Sequence, residues 1–135
     1  MNDWNQGIID EFRGNGGFVS TAGFGRNLLL VHHVGAKSRV ERVSPLFALR
    51  SDAGWLIAAS KGGAPAHPAW FHNLGAHPDT VVEAPGEGEV AVRAVELEGQ
   101  ERDAAWALFT STSDGFSRYQ ERTSRVIPVV ELRRR

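Results

Sequence analysis

Residues 55–74 read Trp-Leu-Ile-Ala-Ala-Ser-Lys-Gly-Gly-Ala-Pro-Ala-His-Pro-Ala-Trp-Phe-His-Asn-Leu. Trp55 to Ala59 form an apolar run with the length of a buried strand. Ser60 and Lys61 therefore fall at a strand end. Gly62 and Gly63 allow a positive φ or the close approach of a ligand. Pro65 and Pro68 stiffen the turn, and Pro68 suits the first position of a helix, where its missing N–H costs nothing. Trp70, Phe71 and Leu74 then recur at helical spacing. Backbone donors, one ammonium and an aromatic ring converge in this strand–loop–helix unit, which suits a flat, partly anionic ligand. A glycine turn beside a core tryptophan fits the same residues.

The strands around this unit decide the class. Leu28 to Val34 is apolar at nearly every position, which predicts burial on both faces. Gly35-Ala-Lys-Ser-Arg39 follows as a turn with two cations and a hydroxyl. Arg42 to Arg50 returns as a second strand, and Pro45 within it requires an edge or a bulge. Ser51 to Gly54 is a hairpin turn into Trp55–Ala59. Thr80–Ala84 and Gly88–Glu98 are a further pair joined by Pro85-Gly-Glu-Gly88, with an imperfect alternation that suggests a bulge in the second. Val126 to Leu132 is a last strand with an internal proline, and Arg133 to Arg135 read as a solvated tail.

Helices fill the gaps. Trp4, Ile8 and Phe12 share one face of a helix over residues 2–13, capped by Asn2 or Asp3 and ended by Gly14-Asn-Gly-Gly17. A second runs from Pro68 to about Gly75–Pro78. Gln100 to Thr110 form a third with Trp106 and Phe109 inward, and residues 115–122 supply one or two turns. About six hairpin-connected strands with peripheral helices make a mainly β, α+β protein, an antiparallel sheet or barrel. The 135 residues suit one domain, 1–135.

Composition removes several function classes. Fifteen basic and sixteen acidic side chains leave a net charge near −1, so no global field calls for nucleic acid. The absence of cysteine excludes disulfides, thiolate nucleophiles and cysteine metal sites. Five histidines show no His-Glu-x-x-His spacing, and no metal is expected. No Gly-x-Ser-x-Gly elbow is present, and Ser38, Ser44 and Ser60 have no base beside them in sequence. No apolar run reaches the roughly 20 residues of a membrane span. The first helix lacks the basic polar face of a membrane-surface helix, so peripheral membrane contact is not indicated. The N-terminus shows no basic and apolar leader pattern, and the cytoplasm is the default.

Two loops remain as the candidate site. Lys37, Ser38, Arg39 and Arg42 offer a point charge, a hydroxyl and guanidinium forks, the groups an anion needs. Ser60 to Gly63 is a second anchor and Trp70 a flat apolar wall. Together they describe a long ligand with an anionic tail and a planar ring, closer to a flavin-like cofactor than to a small metabolite.

These residues resemble the deazaflavin-dependent nitroreductase and quinone reductase family, which uses coenzyme F-420, an 8-hydroxy-5-deazaflavin with an oligoglutamate tail. The resemblance covers nearly the whole chain. It rests on Glu11-Phe-Arg-Gly-Asn-Gly-Gly17, Leu28-Leu-Leu, Gly35-Ala-Lys-Ser, Arg42-Val-Ser-Pro-Leu46, Ala58-Ala-Ser-Lys-Gly-Gly63, His67-Pro-Ala-Trp-Phe-His-Asn-Leu74, Gly99-Gln-Glu-Arg102, Tyr119-Gln and Ile127-Pro-Val-Val130. It implies a split β-barrel. It implies that Ala36, Lys37, Ser38 and Arg42 hold the phosphate and acidic tail, and that Val43, Ser44, Pro45, Leu46 and Phe47 run beneath the ring. Ala58, Ala59, Ser60 and Lys61 would contact ring or linker, and Ala69, Trp70, Phe71, His72 and Asn73 would close the pocket. The reaction implied is hydride transfer from the reduced deazaflavin to a quinone, enone or nitroaromatic acceptor.

The chain departs from the family pattern at two places. Its turn reads Gly35-Ala-Lys-Ser-Arg39 where the family commonly has Gly-Arg-Lys-Ser-Gly, so an arginine has moved and a glycine is lost. On the acceptor side, family tyrosines are replaced by Phe47, Ser113 and Phe116, with Tyr119 kept. Tyr119 and Ser60 are then the remaining proton donors beside the acceptor. A homodimer stays open. So do a non-catalytic F-420 carrier and an FMN- or haem-binding protein on the same barrel.

Overall fold

Seven antiparallel strands form one sheet in the computed structural model, which describes residues 3–135. In chain order they are β1 (Leu28–Val34), β2 (Glu41–Phe47), β3 (Leu49–Arg50), β4 (Gly54–Ala58), β5 (Asp79–Ala84), β6 (Gly88–Glu96) and β7 (Val129–Arg134). Their spatial order is β2-β1-β5-β6-β7-β4-β3. The helices are α1 (Asp3–Gly14), α2 (Ala69–Ala76), α3 (Gly99–Thr112) and α4 (Asp114–Glu121). The expected α1 cap, Asn2 or Asp3, lies outside the described residues and side chains.

Alternation along the strands builds three apolar clusters. Leu29 and Val31 of β1 meet Trp55 and Ile57 of β4, Val82 of β5, Val92 of β6 and Val130 and Leu132 of β7 in one core. β1 and β4 stand near opposite ends of the strand order, so a flat sheet could not bring them together; the sheet curls, as twisted antiparallel sheets do. Leu28 and Leu30 point the other way, onto Ile8, Ile9 and Phe12 of α1. Leu56 and Val129 do the same against Ala105 and Phe109 of α3. Continuous apolarity in β1 thus reflects two buried faces, as the sequence predicts.

Several expectations are corrected. The second strand is not continuous to Arg50. It breaks at Ala48, whose N–H donates to Asn27 O instead of the ladder (2.9 Å). Pro45 is tolerated because β2 is an edge strand. β6 carries no bulge: Asp79–Ala84 pairs with Gly88–Arg93 without a slip. Pro68 sits just before α2, with ψ 153°. The last strand begins after Pro128, and Arg133 and Arg134 belong to it. Arg134 stacks on Trp55 (4.5 Å) and pairs with Glu87 (2.9 Å), and Arg135 donates to Val92 O (3.0 Å), so the three arginines are no free tail.

Candidate functional site

A cleft of about 1000 Å³ lies between the β2 face, the start of α1 and the α3–α4 pair. Its volume lies at the upper end of the range for cofactor and ligand pockets. Ser44, Pro45, Leu46 and Phe47 of β2 and Ala58 at the end of β4 supply one side. Ser60, Lys61 and Trp70 come from the strand–loop–helix unit, and Ser113, Phe116 and Tyr119 from the junction of α3 and α4. Among the described residues, none that lines the cleft is acidic, and Lys61 is the cation among them.

The remaining sequence candidates stand apart from the cleft wall. Ala36, Lys37, Ser38 and Arg42 are exposed on the turn and edge where β1 passes to β2. Val43 packs with the α1 cluster, and Ala59 is fully buried in the barrel core. Ala69 is exposed at the start of α2. Phe71 and His72 line a separate cavity of about 210 Å³. Asn73 is buried behind the cleft.

The Ser60–Gly63 loop is held from a distance by Arg125. Its guanidinium donates to Ser60 O (2.7 Å), Ala59 O (3.1 Å) and Ala64 O (2.9 Å) and meets His67 Nδ1 at 3.0 Å. A guanidinium only donates, so Nδ1 of His67 is an acceptor and the ring is neutral. Burial and the Arg125 charge push the His67 pKa below its usual value accordingly. The loop is tight. Lys61 has φ +47°, and Gly63 has φ +81° with no room for a side chain: a Cβ there would lie 2.6 Å from Tyr119 O. Loop and α4 are therefore in direct backbone contact. Sequence reasoning missed Arg125, which lies 65 residues from Ser60 and carries no local signal.

Behind β2 runs a polar chain through the apolar core. Ser44 Oγ and His33 Nε2 are 2.8 Å apart, and His33 Nδ1 and Asn73 Nδ2 2.9 Å apart. Asn73 Oδ1 accepts the Ala36 N–H at 2.9 Å. Burial first, then Arg42 and His32, pushes the His33 pKa down. The chain joins the cleft to the cationic turn. That turn closes through Gly35 O, which accepts Arg39 N–H (2.9 Å), and Ser38 Oγ, which accepts Val40 N–H (3.2 Å). Arg39 has φ +60°, the left-handed conformation a glycine takes without strain. The turn thus has a glycine-type backbone at an arginine. Among the described residues, no carboxylate lies within ion-pair distance of Lys37, Arg39 or Arg42.

The third wall is N-terminal. Trp4 and Asn5 of α1 and Ala22, Gly23, Phe24 and Asn27 of the following segment line the cleft. Glu11 pins that segment to α1, accepting from Ser20 N (2.9 Å), Ser20 Oγ (2.6 Å) and Thr21 Oγ1 (2.8 Å). Those bonds hold the Glu11 pKa at about 2. Ala22 has φ +53°. Among the described residues, the three non-glycine positions with positive φ are Ala22, Arg39 and Lys61, two in the cleft and one in the cationic turn. Such strain concentrates where surrounding contacts over-determine a functional loop.

A family model described as F420H(2)-dependent quinone reductase matches residues 5–133. An F420H(2)-dependent quinone reductase of Mycobacterium tuberculosis is 40% identical over 110 residues, covering 79% of this chain and 73% of the relative. A solved F420-H2 dependent reductase, FDR-A, superposes with a TM-score of 0.71 at 35% identity, over 79% of this chain and 94% of that one. A second solved structure, described as a domain-swapped dimer, gives 0.74 at 32% identity over 96% and 97%. The chain belongs to the F420H(2)-dependent quinone reductase family, and its sheet is that family's split barrel.

Proposed function

We propose that the cleft binds the deazaflavin ring system of F-420 and that the protein reduces a quinone, enone or nitroaromatic beside it. The observation that carries this reading is a large cleft with no lining carboxylate among the described residues, joined by one hydrogen-bonded chain to three cations that have no acidic partner among those residues. The donor set fits the coenzyme: an apolar floor for a flat ring, hydroxyls and one ammonium for its polar edge and linker, and an exposed cationic turn for the phosphate and glutamates.

Ser44, Pro45, Leu46, Phe47 and Ala58 would support the ring, and Ser60, Lys61 and Trp70 would bound it. Lys37, Ser38 and Arg42 would hold the anionic tail, with Arg39 beside them. Asn73 and Ala59 act from behind the wall. The coenzyme, when bound in reduced form, supplies the hydride. The chain contributes orientation and exclusion of water, and Tyr119 and Ser60 are the hydroxyl groups placed to give a proton to the acceptor. Phe47, Ser113 and Phe116 shape the acceptor side. Residues 1–135 act as a single domain. The domain-swapped relative supports a homodimer. Among the described residues no helix is long and apolar enough to cross a membrane. A cytoplasmic location follows from the reading itself, because a reductant regenerated by metabolism has to reach the cleft.

The test is titration with oxidised F-420, followed by its fluorescence, then turnover of the reduced coenzyme with menadione. No binding at tens of micromolar overturns the reading. Binding without oxidation by any acceptor class makes the protein a carrier. Lys37→Ala combined with Arg42→Ala should weaken binding by about 2–4 kcal/mol, the scale of a few charge-assisted hydrogen bonds.

A further inference from the structure

The chain from Ser44 to Ala36 can be read proton by proton. The backbone N–H of Ala36 can only donate, so the Asn73 atom it meets is the carbonyl oxygen (2.9 Å). That fixes the amide, and its NH₂ faces His33 Nδ1 (2.9 Å). An NH₂ only donates, so Nδ1 carries no proton. A neutral imidazole unprotonated at Nδ1 is protonated at Nε2, and Nε2–H donates to Ser44 Oγ (2.8 Å). An imidazolium would set two donors against each other across the His33–Asn73 contact. His33 and Asn73 are 3% and 7% exposed, so water does not scramble this order.

We propose that Ser44 is a hydrogen-bond donor of fixed direction into the cleft, and that His33 and Asn73 are the positioning residues that fix it. With Oγ occupied as an acceptor, the hydroxyl's one proton is left for the cleft, which Ser44 lines. It fits an atom with lone pairs and no proton: a carbonyl oxygen or an unprotonated ring nitrogen. This deepens the F-420 reading and rests on it for the ligand's name. The order starts at Ala36, the neighbour of Lys37, so the turn that would hold the anionic tail also sets the polarity of the donor beneath the ring.

The row Ser44–His33–Asn73 looks like a nucleophile, a base and an orienting residue, but its polarity is reversed. A base that activates serine needs a free Nε2 lone pair and hence an Nδ1–H held by an acceptor. Here Asn73 donates to Nδ1, so His33 cannot take the Ser44 proton.

Asn73→Asp tests this with almost no change of shape. A carboxylate still accepts from Ala36 but cannot donate, so His33 should move its proton to Nδ1, and Ser44 should turn its own proton onto Nε2 and away from the cleft. Nitrogen-15 spectra of the unsubstituted chain should show His33 protonated at Nε2, and those of Asn73→Asp at Nδ1. Ser44→Ala should weaken F-420 binding roughly three- to tenfold, the loss of one hydrogen bond. Asn73→Asp should weaken it to a similar degree. The double variant should bind within about twofold of the weaker single variant, because both remove the same donor. If Asn73→Asp weakened binding only by placing a negative charge near the tail, the two effects would multiply, and the proposal would fail. It fails equally if His33 of the unsubstituted chain is protonated at Nδ1 or is cationic at neutral pH, or if Ser44→Ala binds normally. Should Asn73→Asp not fold, the spectrum of the unsubstituted chain and the Ser44→Ala titration still decide. A chain that binds no F-420 yet shows the Nε2–H form would sink the cofactor reading and leave the direction of the donor standing.

Discussion

Replacing Arg125 with alanine should loosen the cleft without touching it. The guanidinium is the shared donor for three carbonyls of one loop, Ala59, Ser60 and Ala64, and for His67. Each hydrogen bond to a charged group contributes about 1.5–3 kcal/mol when intact. Summing them overstates the loss, since the group is only partly buried and water can reach some of the carbonyls after truncation. A net destabilisation of about 2–4 kcal/mol is the expected range, a large share of the roughly 5–15 kcal/mol that holds an ordinary domain together. The loop also carries Lys61 in a left-handed backbone (φ +47°), which persists only while its surroundings enforce it. Affinity for F-420 should therefore fall about tenfold or more in Arg125→Ala. Arg125→Lys should recover less than half of either loss, because one ammonium cannot span carbonyls that a planar fork reaches together. Urea unfolding and F-420 titration measure the two effects separately. Stability within about 0.5 kcal/mol of the unsubstituted chain would refute the anchoring argument, since surface substitutions fall in that range. Reduced stability with unchanged affinity would show that the anchor matters to the fold but not to the site.

Two further perturbations probe the loop's contact with α4 and the sheet's polar edge. Gly63→Ala and Gly86→Ala share a positive φ, +81° and +73°, but a Cβ at Gly63 would meet Tyr119 O and Arg122 Cβ, whereas at Gly86 it meets nothing within 4 Å. Gly86→Ala should cost about 1 kcal/mol of backbone strain. Gly63→Ala should cost clearly more and slow turnover by moving Tyr119, and equal costs in urea unfolding would count against the tight loop–helix contact. His32 lies between Glu41 (3.1 Å) and Glu83 (2.8 Å), and although burial works against its charge, the two hydrogen bonds outweigh it and raise its pKa. A raised histidine pKa gives stability that is complete below the unfolded value near 6.5 and is lost as pH rises through the folded pKa. NMR titration should therefore find His32 titrating above 6.5, with Glu41→Gln lowering it; a value at or below 6.5 would remove the ion pair from the account.

The sequence made the sheet legible wherever burial left a periodic mark. β1 could be read as buried on both faces because seven residues in a row have almost no polar gap, and Pro45 could be limited to an edge or a bulge because it cannot donate to a ladder. The arginines at the C-terminus were misread because charge alone does not report register. Arg134 is part of β7, stacked on Trp55 and paired with Glu87, and its partners lie 79 and 47 residues away. The same distance problem hides the supports of the site. Asn73 did leave a trace, a polar residue on the helix face shared by Trp70 and Leu74, but its partner His33 is 40 residues upstream. Arg125 left none, since a single charged residue before a strand is ordinary.

Those hidden supports follow one plan. Each loop at the site is tied down by a side chain from another part of the fold: the 20–21 segment by Glu11, the 59–64 loop by Arg125, and the 36–39 turn by Asn73. Directional hydrogen bonds hold position more narrowly than packing does, and a residue type without the matching donor or acceptor loses them. The acceptor side is built differently. Phe47, Phe109, Phe116 and Tyr119 meet through ring contacts, Phe47 to Phe116 at 5.5 Å and Phe116 to Tyr119 at 5.8 Å between centroids. Such contacts are worth about 0.5–1.5 kcal/mol each and accept another ring of similar size. Exchanging phenyl for phenol there, at Phe47 or Phe116, would leave the wall intact and change only its polar handle. The fold therefore holds the face assigned to the coenzyme by bonds that resist substitution and the face assigned to the acceptor by packing that permits it.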